Sequence, residues 1–164
     1  MSAGNWSFLE DDYQRIARQL SQLTSSASAR TTMLVDRNGQ MIAFSGEEPR
    51  FDTNAFASLS AADFAANDHL ASLIGETEFS SLYHQGERES MYLADIRKRV
   101  ILVVLFDDRT TLGLVRLRVK RAVKELDVIF GEIFAQSESA TRRSGLGGEF
   151  TSEAEDEIDN LFRE

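Results

Sequence analysis

The stretch Thr31-Thr32-Met33-Leu34-Val35-Asp36-Arg37-Asn38-Gly39-Gln40-Met41-Ile42-Ala43-Phe44-Ser45 decides the architecture. Thr31–Asp36 is rich in β-branched and apolar residues, and 41–45 resumes the same character after the four polar or turn-forming residues 37–40. Asn38-Gly39 between them is a strong short-range hairpin signal, because a two-residue type I′ turn needs positive φ at both central positions. The expectation is therefore two antiparallel strands joined at Asn38-Gly39.

Outward from the hairpin, residues 8–24 predict an amphipathic helix. Leu9, Tyr13, Ile16, Ala17, Leu20 and Leu23 recur at helical spacing, while Asp11, Gln14, Arg15, Arg18 and Gln22 fill the other face. On the far side, 45–52 holds Gly46 and Pro49 and reads as a connection. Asp52 or Thr53 then caps a helix over 53–74, with Gly75 as its stop. Its apolar positions are Phe56, Leu59, Phe64, Leu70, Leu73 and Ile74. They are joined by Ala55, Ala57, Ala61, Ala62, Ala65, Ala66 and Ala71. Such small residues let another backbone approach closely. That neighbour is either a second helix or the chain's own sheet.

Residues 78–84 and 89–95 read as two shorter strands around Gly86, and Ile96-Arg97-Lys98 as a turn. Val100–Phe106 is an unbroken apolar run suited to a sheet centre. Residues 110–136 predict a long final helix with Leu112, Val115, Val119, Val123, Leu126, Phe130 and Ile133 on one face, weakened locally at Gly113 and Gly131. The order α-β-β-α-β-β-β-α defines an α+β sandwich with five strands. Residues 137–150, rich in Ser, Ala and Gly, read as a flexible linker after a domain at 1–136. Residues 151–164 read as an acidic amphipathic motif, with Ser152-x-x-Glu155 as a capping box and Ile158, Leu161 and Phe162 at i, i+3, i+4.

Composition narrows the chemistry. The 164 residues contain no cysteine, so thiolate catalysis, disulfides and Cys-ligated metals are excluded. Only His69 and His84 are available as imidazoles, and they form no H-E-x-x-H pair. No phosphate-binding G-x-x-x-x-G-K-[ST] loop exists, so no nucleotide site is expected in this chain. A net charge of −9 argues against nucleic acid as a partner. The longest apolar run is too short to span a bilayer, and the N-terminus lacks the basic and apolar regions of a signal peptide. A soluble, cytoplasmic protein is expected. Charge is unevenly spread. In 149–164, seven acids against one base leave −6, whereas 109–124 holds six bases (Arg109, Arg116, Arg118, Lys120, Arg121, Lys124) and no acid. The two segments suit pairing with each other or with a partner, or are simply solvated faces. Asp107-Asp108 offers a carboxylate pair, but neighbouring strand residues point to opposite faces, and no nucleophile–base set accompanies them.

The element order resembles the Roadblock (longin-related) family. Its MglB-like branch is resembled in particular by Leu34-Val35-Asp36-Arg37-Asn38-Gly39-Gln40, Ala57-Ser58-Leu59, Leu73-Ile74-Gly75-Glu76, Phe106-Asp107-Asp108-Arg109-Thr110-Thr111-Leu112-Gly113-Leu114-Val115-Arg116-Leu117-Arg118 and Ile158-Asp159-Asn160-Leu161-Phe162. The resemblance covers nearly the whole chain. It implies a homodimer formed by joining sheet edges, here through Phe79, Leu82 and Tyr83, and by packing the second helices together. It implies that the paired helices serve as a platform for one small Ras-like GTPase of the MglA type, through Leu59, Ala62, Ala65, Ala66 and His69. It further implies GTPase activation, no bound cofactor or metal, a role in polarity or motility with concentration at a cell pole, and a tail that binds the GTPase through Ile158, Asp159, Leu161 and Phe162 and favours nucleotide exchange.

Two positions depart from the resemblance: Asp68 and His69 stand where MglB-like chains can carry small residues, often glycine. They motivate an alternative, a Roadblock-type dimeric adaptor without activating power. Two arginines bear on the mechanism. Neither Arg37 nor Arg109 is marked as an inserted arginine finger, and Arg109 beside Asp108 reads as an ion-pair or capping residue. The resemblance points instead to ordering of the partner's own switch residues.

Overall fold

The computed structural model describes the backbone of residues 2–3, 6–7 and 9–161 and the side chains of 9–145. Two short strands, β1 (Ser2–Ala3) and β2 (Trp6–Ser7), pair antiparallel; the residue pattern does not foretell them. The helix α1 (Glu10–Ser26) follows. Its first turn carries Glu10, Asp11 and Asp12, whose charge complements the positive end of the helix dipole. Ile16, Leu20 and Leu23 form its buried stripe, as their spacing predicts.

β3 (Thr31–Asp36) and β4 (Met41–Gly46) form the expected hairpin, but the turn differs from the sequence reading. Gly39 has φ +86°, whereas Asn38 is not among the residues with positive φ, so the turn is not type I′. Gly39 N donates to Asp36 O at 3.1 Å, and Asp36 N donates to Gln40 O at 2.9 Å. Three residues, 37–39, thus make the loop, and the register slips between Leu34 and Val35. A three-residue loop with a left-handed glycine at its end is the common alternative. Here Asp36 selects it: Oδ1 accepts from both Asn38 N and Gln40 N at 2.9 Å.

The helix α2 (Thr53–Leu73) starts at Asp52, whose Oδ1 accepts from Asn54 N and Ala55 N, and Gly75 at φ +82° follows its end. β5 (Ser81–Gln85), β6 (Ser90–Ile96) and β7 (Val100–Phe106) complete the sheet. The strand order is β4-β3-β7-β6-β5, antiparallel throughout. The apolar run 100–106 is the central strand, with both faces covered. Leu34, Leu102 and Val104 pack with α1 and the last helix, α3 (Leu112–Leu161), on one side. Met33, Val35, Ile101 and Val103 pack under α2 on the other. Each fully buried side chain of this size contributes about 1.5–3 kcal/mol.

The turn between β6 and β7 has both central residues left-handed, Arg97 at φ +55° and Lys98 at φ +57°. Neither is the glycine or asparagine such geometry favours. Side chains hold it instead: Lys98 N donates to Asp95 Oδ2 at 3.0 Å, Lys98 Nζ pairs with Glu78 at 3.1 Å, and Arg97 Nε donates to Asp127 O at 3.0 Å. The Arg97 guanidinium crosses α3 at Gly131, where a Cβ would lie 2.6 Å from it. Gly131, a weak helix former, is therefore the close-approach point for this strap.

The last helix, α3, runs Leu112–Leu161 rather than ending near 136. Helical backbone continues where a flexible linker is expected from composition. No proline interrupts 137–145, and Ser139 Oγ and Thr141 Oγ1 each bond the carbonyl four residues back, at 3.0 and 2.9 Å. Side chains 138–145 are all exposed. Among the described residues, no helix is long and apolar enough to cross a membrane.

Candidate interaction surface

α2 lies on the sheet through a narrow, mostly small-residue face: Ala57, Ser60, Ala61, Phe64, Asn67 and Ala71 are buried. The sheet side supplies the bulk, and alanines let the helix come close. Of the large apolar positions in the sequence pattern, only Phe64 is fully buried. Phe56 is half-buried, and Leu59, Leu70, Leu73 and Ile74 are exposed. Apart from Phe64, the buried face is thus made of small and polar residues, and the leucines and Ile74 point outward.

On the outer side, Ala55, Leu59, Ala62, Ala66, His69 and Leu73 recur at alternating spacings of four and three and are all exposed, Leu59 at 69% and Leu73 at 82%. That periodicity makes one straight seam along a helix. The expected platform residues Leu59, Ala62, Ala65, Ala66 and His69 all lie on this exposed side. Leu70, Leu73 and Ile74 extend it beyond them, and only their failure to reach the sheet distinguishes them from core positions.

Beside the seam runs the sheet edge. β5 pairs with β6 on one side, and among the described residues no strand lies on the other. Leu82 is half-buried against the α2-side cluster, while Tyr83 turns to the opposite face and stacks on Phe106 with ring centroids 6.3 Å apart. Phe79 precedes the strand, half-buried, and its carbonyl accepts from Asn67 Nδ2 at 3.5 Å. His84 Nε2 meets Asp63 Oδ2 at 2.6 Å, tying the edge strand to α2. Seam and open edge are therefore one continuous surface, joined by a contact across 21 residues that local sequence patterns do not register.

Asp68 is half-buried and turned to the flank, where its Oδ2 accepts from Arg37 Nη1 at 2.9 Å. Arg37 also pairs with Asp95 and lies over the Phe64 ring, 4.7 Å from its centroid. His69, the other departure, is exposed. Arg109 is also committed: Nε donates to Asp107 at 2.9 Å and Nη2 to Glu47 at 3.2 Å, and Glu47 binds Arg30 as well. Hydrogen bonds from Arg30 and then Arg109 hold the Glu47 carboxyl below its ordinary range; Arg109 does the same to Asp107. Both candidate arginines are thus bound within the fold. Among the described residues, no group of three His, Asp or Glu side chains is placed to hold a metal. In the tail, Phe162 and the side chains of Ile158, Asp159 and Leu161 lie outside the described residues.

A five-stranded antiparallel sheet with α2 on one face and α1 and α3 on the other makes the chain a three-layer α+β domain. A model of the Roadblock/LC7 domain matches residues 15–106, and the chain belongs to that family. Among solved structures it resembles MglB of Myxococcus xanthus, at 44% identity and a TM-score of 0.73, over 77% of this chain and 96% of that one. The gliding protein MglB of Thermus thermophilus is 31% identical with a TM-score of 0.73, covering 80% of this chain and 99% of that one. An uncharacterized protein of Methanocaldococcus jannaschii is 30% identical over 115 residues, 70% of this chain and 99% of that one.

Proposed function

We propose that this protein is a homodimeric regulator of a small Ras-like GTPase of the MglA type, acting as a GTPase-activating protein in control of cell polarity or motility. The observation that carries the reading is the exposed seam of α2, continuous with an open β5 edge, in a chain 44% identical to a known MglB. In the dimer, Phe79, Leu82 and Tyr83 join the edges. The paired α2 helices present Leu59, Ala62, Ala65, Ala66 and His69 to one GTPase. Residues 1–136 form the regulatory domain. Residues 151–164, joined through 137–150, are an accessory element that binds the GTPase through Ile158, Asp159, Leu161 and Phe162 and promotes exchange. The protein works in the cytoplasm, concentrated at a cell pole.

The mechanism is ordering rather than insertion. Arg37 and Arg109 are both held by acids of their own fold, which disfavours either as a finger reaching a partner's phosphate. A rigid surface that binds the hydrolysing arrangement of the partner's switch segments more tightly than the relaxed one raises the rate by population shift. The chain is then a regulator without an active site of its own. Asp68 is turned to the flank and satisfied by Arg37, which removes its part of the case for an adaptor without activating power, while His69 stays exposed in the seam.

The test is GTP turnover by the Ras-like GTPase of the same genome, with and without saturating protein. An acceleration on the order of tenfold or more, about 1.4 kcal/mol off the barrier, is expected. A complex on sizing without faster turnover would replace this reading with the adaptor. Deletion of 150–164 is expected to change affinity or exchange; if both stay constant, the tail has no such role.

A further inference from the structure

Three consecutive side chains of β5 reach three different places. Leu82 packs against the cluster under α2, Tyr83 stacks on Phe106 on the opposite face, and His84 reaches Asp63 on α2 itself. Beyond Leu82 the strand is open: Tyr83, His84 and Gln85 are exposed, as are residues 86–89 that follow. Within the sheet β5 is paired to β6 alone, and that pairing ends at Gln85 opposite Ser90. A strand with one neighbour frays from its exposed end, and each residue held in order there costs conformational entropy.

The His84 contact acts on that exposed end. Nε2 and Oδ2 are 2.6 Å apart. An N–H at Nε2 can donate to the carboxylate from the neutral ring as well as from the imidazolium. The side chains are 47% and 36% exposed, so the bond is not needed to satisfy a buried group. What it fixes is position. Asp63 directly precedes Phe64, the one large side chain by which α2 is keyed into the sheet. The carboxylate therefore stands on firmly held backbone, and the imidazole it binds stands on the half of β5 with the least support.

We propose that Asp63 is a positioning residue for self-association: through His84 it holds the exposed half of β5 in strand geometry, ready to pair with the β5 edge of a second copy. The inference rests on the homodimeric reading above and adds to it a residue outside the edge. Ordering the edge beforehand removes that cost from association, which tightens it. In a two-fold dimer the contact occurs twice, so its loss is felt twice.

The test uses the full chain with no GTPase present. Sedimentation over a range of concentrations gives the dimer dissociation constant. Asp63→Ala is expected to raise it about three- to tenfold, with unchanged far-ultraviolet circular dichroism. The sign is diagnostic: taking an acid from a chain of net charge −9 relieves repulsion between copies, which by itself would tighten the dimer. His84→Thr keeps a β-branched strand residue but is too short to reach α2, and it should weaken the dimer to a similar degree. The double variant should be no weaker than the weaker single, because both substitutions remove the same contact. Asp63→Glu keeps the carboxylate and should bring the constant back to within about twofold of wild type. An unchanged or tighter dimer in Asp63→Ala, effects that multiply in the double variant, or a Glu variant as weak as the Ala one would each overturn the role of Asp63 and leave the homodimer standing. A chain that stays monomeric at every concentration would overturn both.

Discussion

Arg37 shows how much one side chain decides here. It leaves the hairpin loop, crosses to Asp68 on α2 and Asp95 on β6, and covers the Phe64 ring. Its removal strands two acids, one of them on a side chain only 15% exposed. Arg37→Ala is expected to lower unfolding free energy by about 1–3 kcal/mol in a denaturant titration, and Arg37→Lys by less. Gly39 is the second such position. It needs positive φ, and a Cβ there would come within 2.9 Å of Ser58 Cα. Gly39→Ala should cost about 1–3 kcal/mol by the same measurement, and a neutral result would mean that the loop and α2 can separate freely. The roles of these two residues are unevenly legible in the sequence. Asn38-Gly39 announces a hairpin, but Asp36 and its two backbone bonds choose the turn. Asp68 reads in sequence as an intruder on the platform, because its partner lies 31 residues away.

At the scale of elements, α2 is the instructive case. Its span, cap and glycine stop follow from residue pattern, yet which of its apolar residues meet the sheet does not. In sequence its alanines suit a neighbouring helix or the chain's own sheet; the structure puts three of them against a sheet already filled by larger residues, leaving leucines outside. Pattern alone assigns large residues to the core, since it carries no information on how much room the opposite layer leaves. Ala61→Leu should therefore cost about 1–3 kcal/mol by overpacking, while Leu59→Arg should leave the chain's own unfolding unchanged and weaken its complex with the GTPase on sizing. The corner between β4 and α3 behaves electrostatically. Glu47 and Asp107 have lowered pKa values, so their contribution to stability is present above the ordinary carboxylate range and is lost as pH falls through the lowered values. The melting midpoint should fall below about pH 4, and Glu47→Gln should remove part of that acid dependence.

For the molecule as a whole, the element order and the five-stranded sheet follow the sequence reading, because β7 declares itself as central and the helices by period. The length of α3 does not, since serines, alanines and glycines describe a linker and a marginal helix equally well. The β5 edge carries a consequence for the timescale of backbone chemistry. In the hydrogen-bonded interior, an amide exchanges its proton with solvent only when the fold opens, at a rate set by the chain's own stability. Among the described residues, nothing shelters the outward amides of β5 within one chain. Their exchange in heavy water becomes a measure of occupancy: slow where a second chain covers the edge, fast on dilution, while β3 and β7 keep their protection at every concentration.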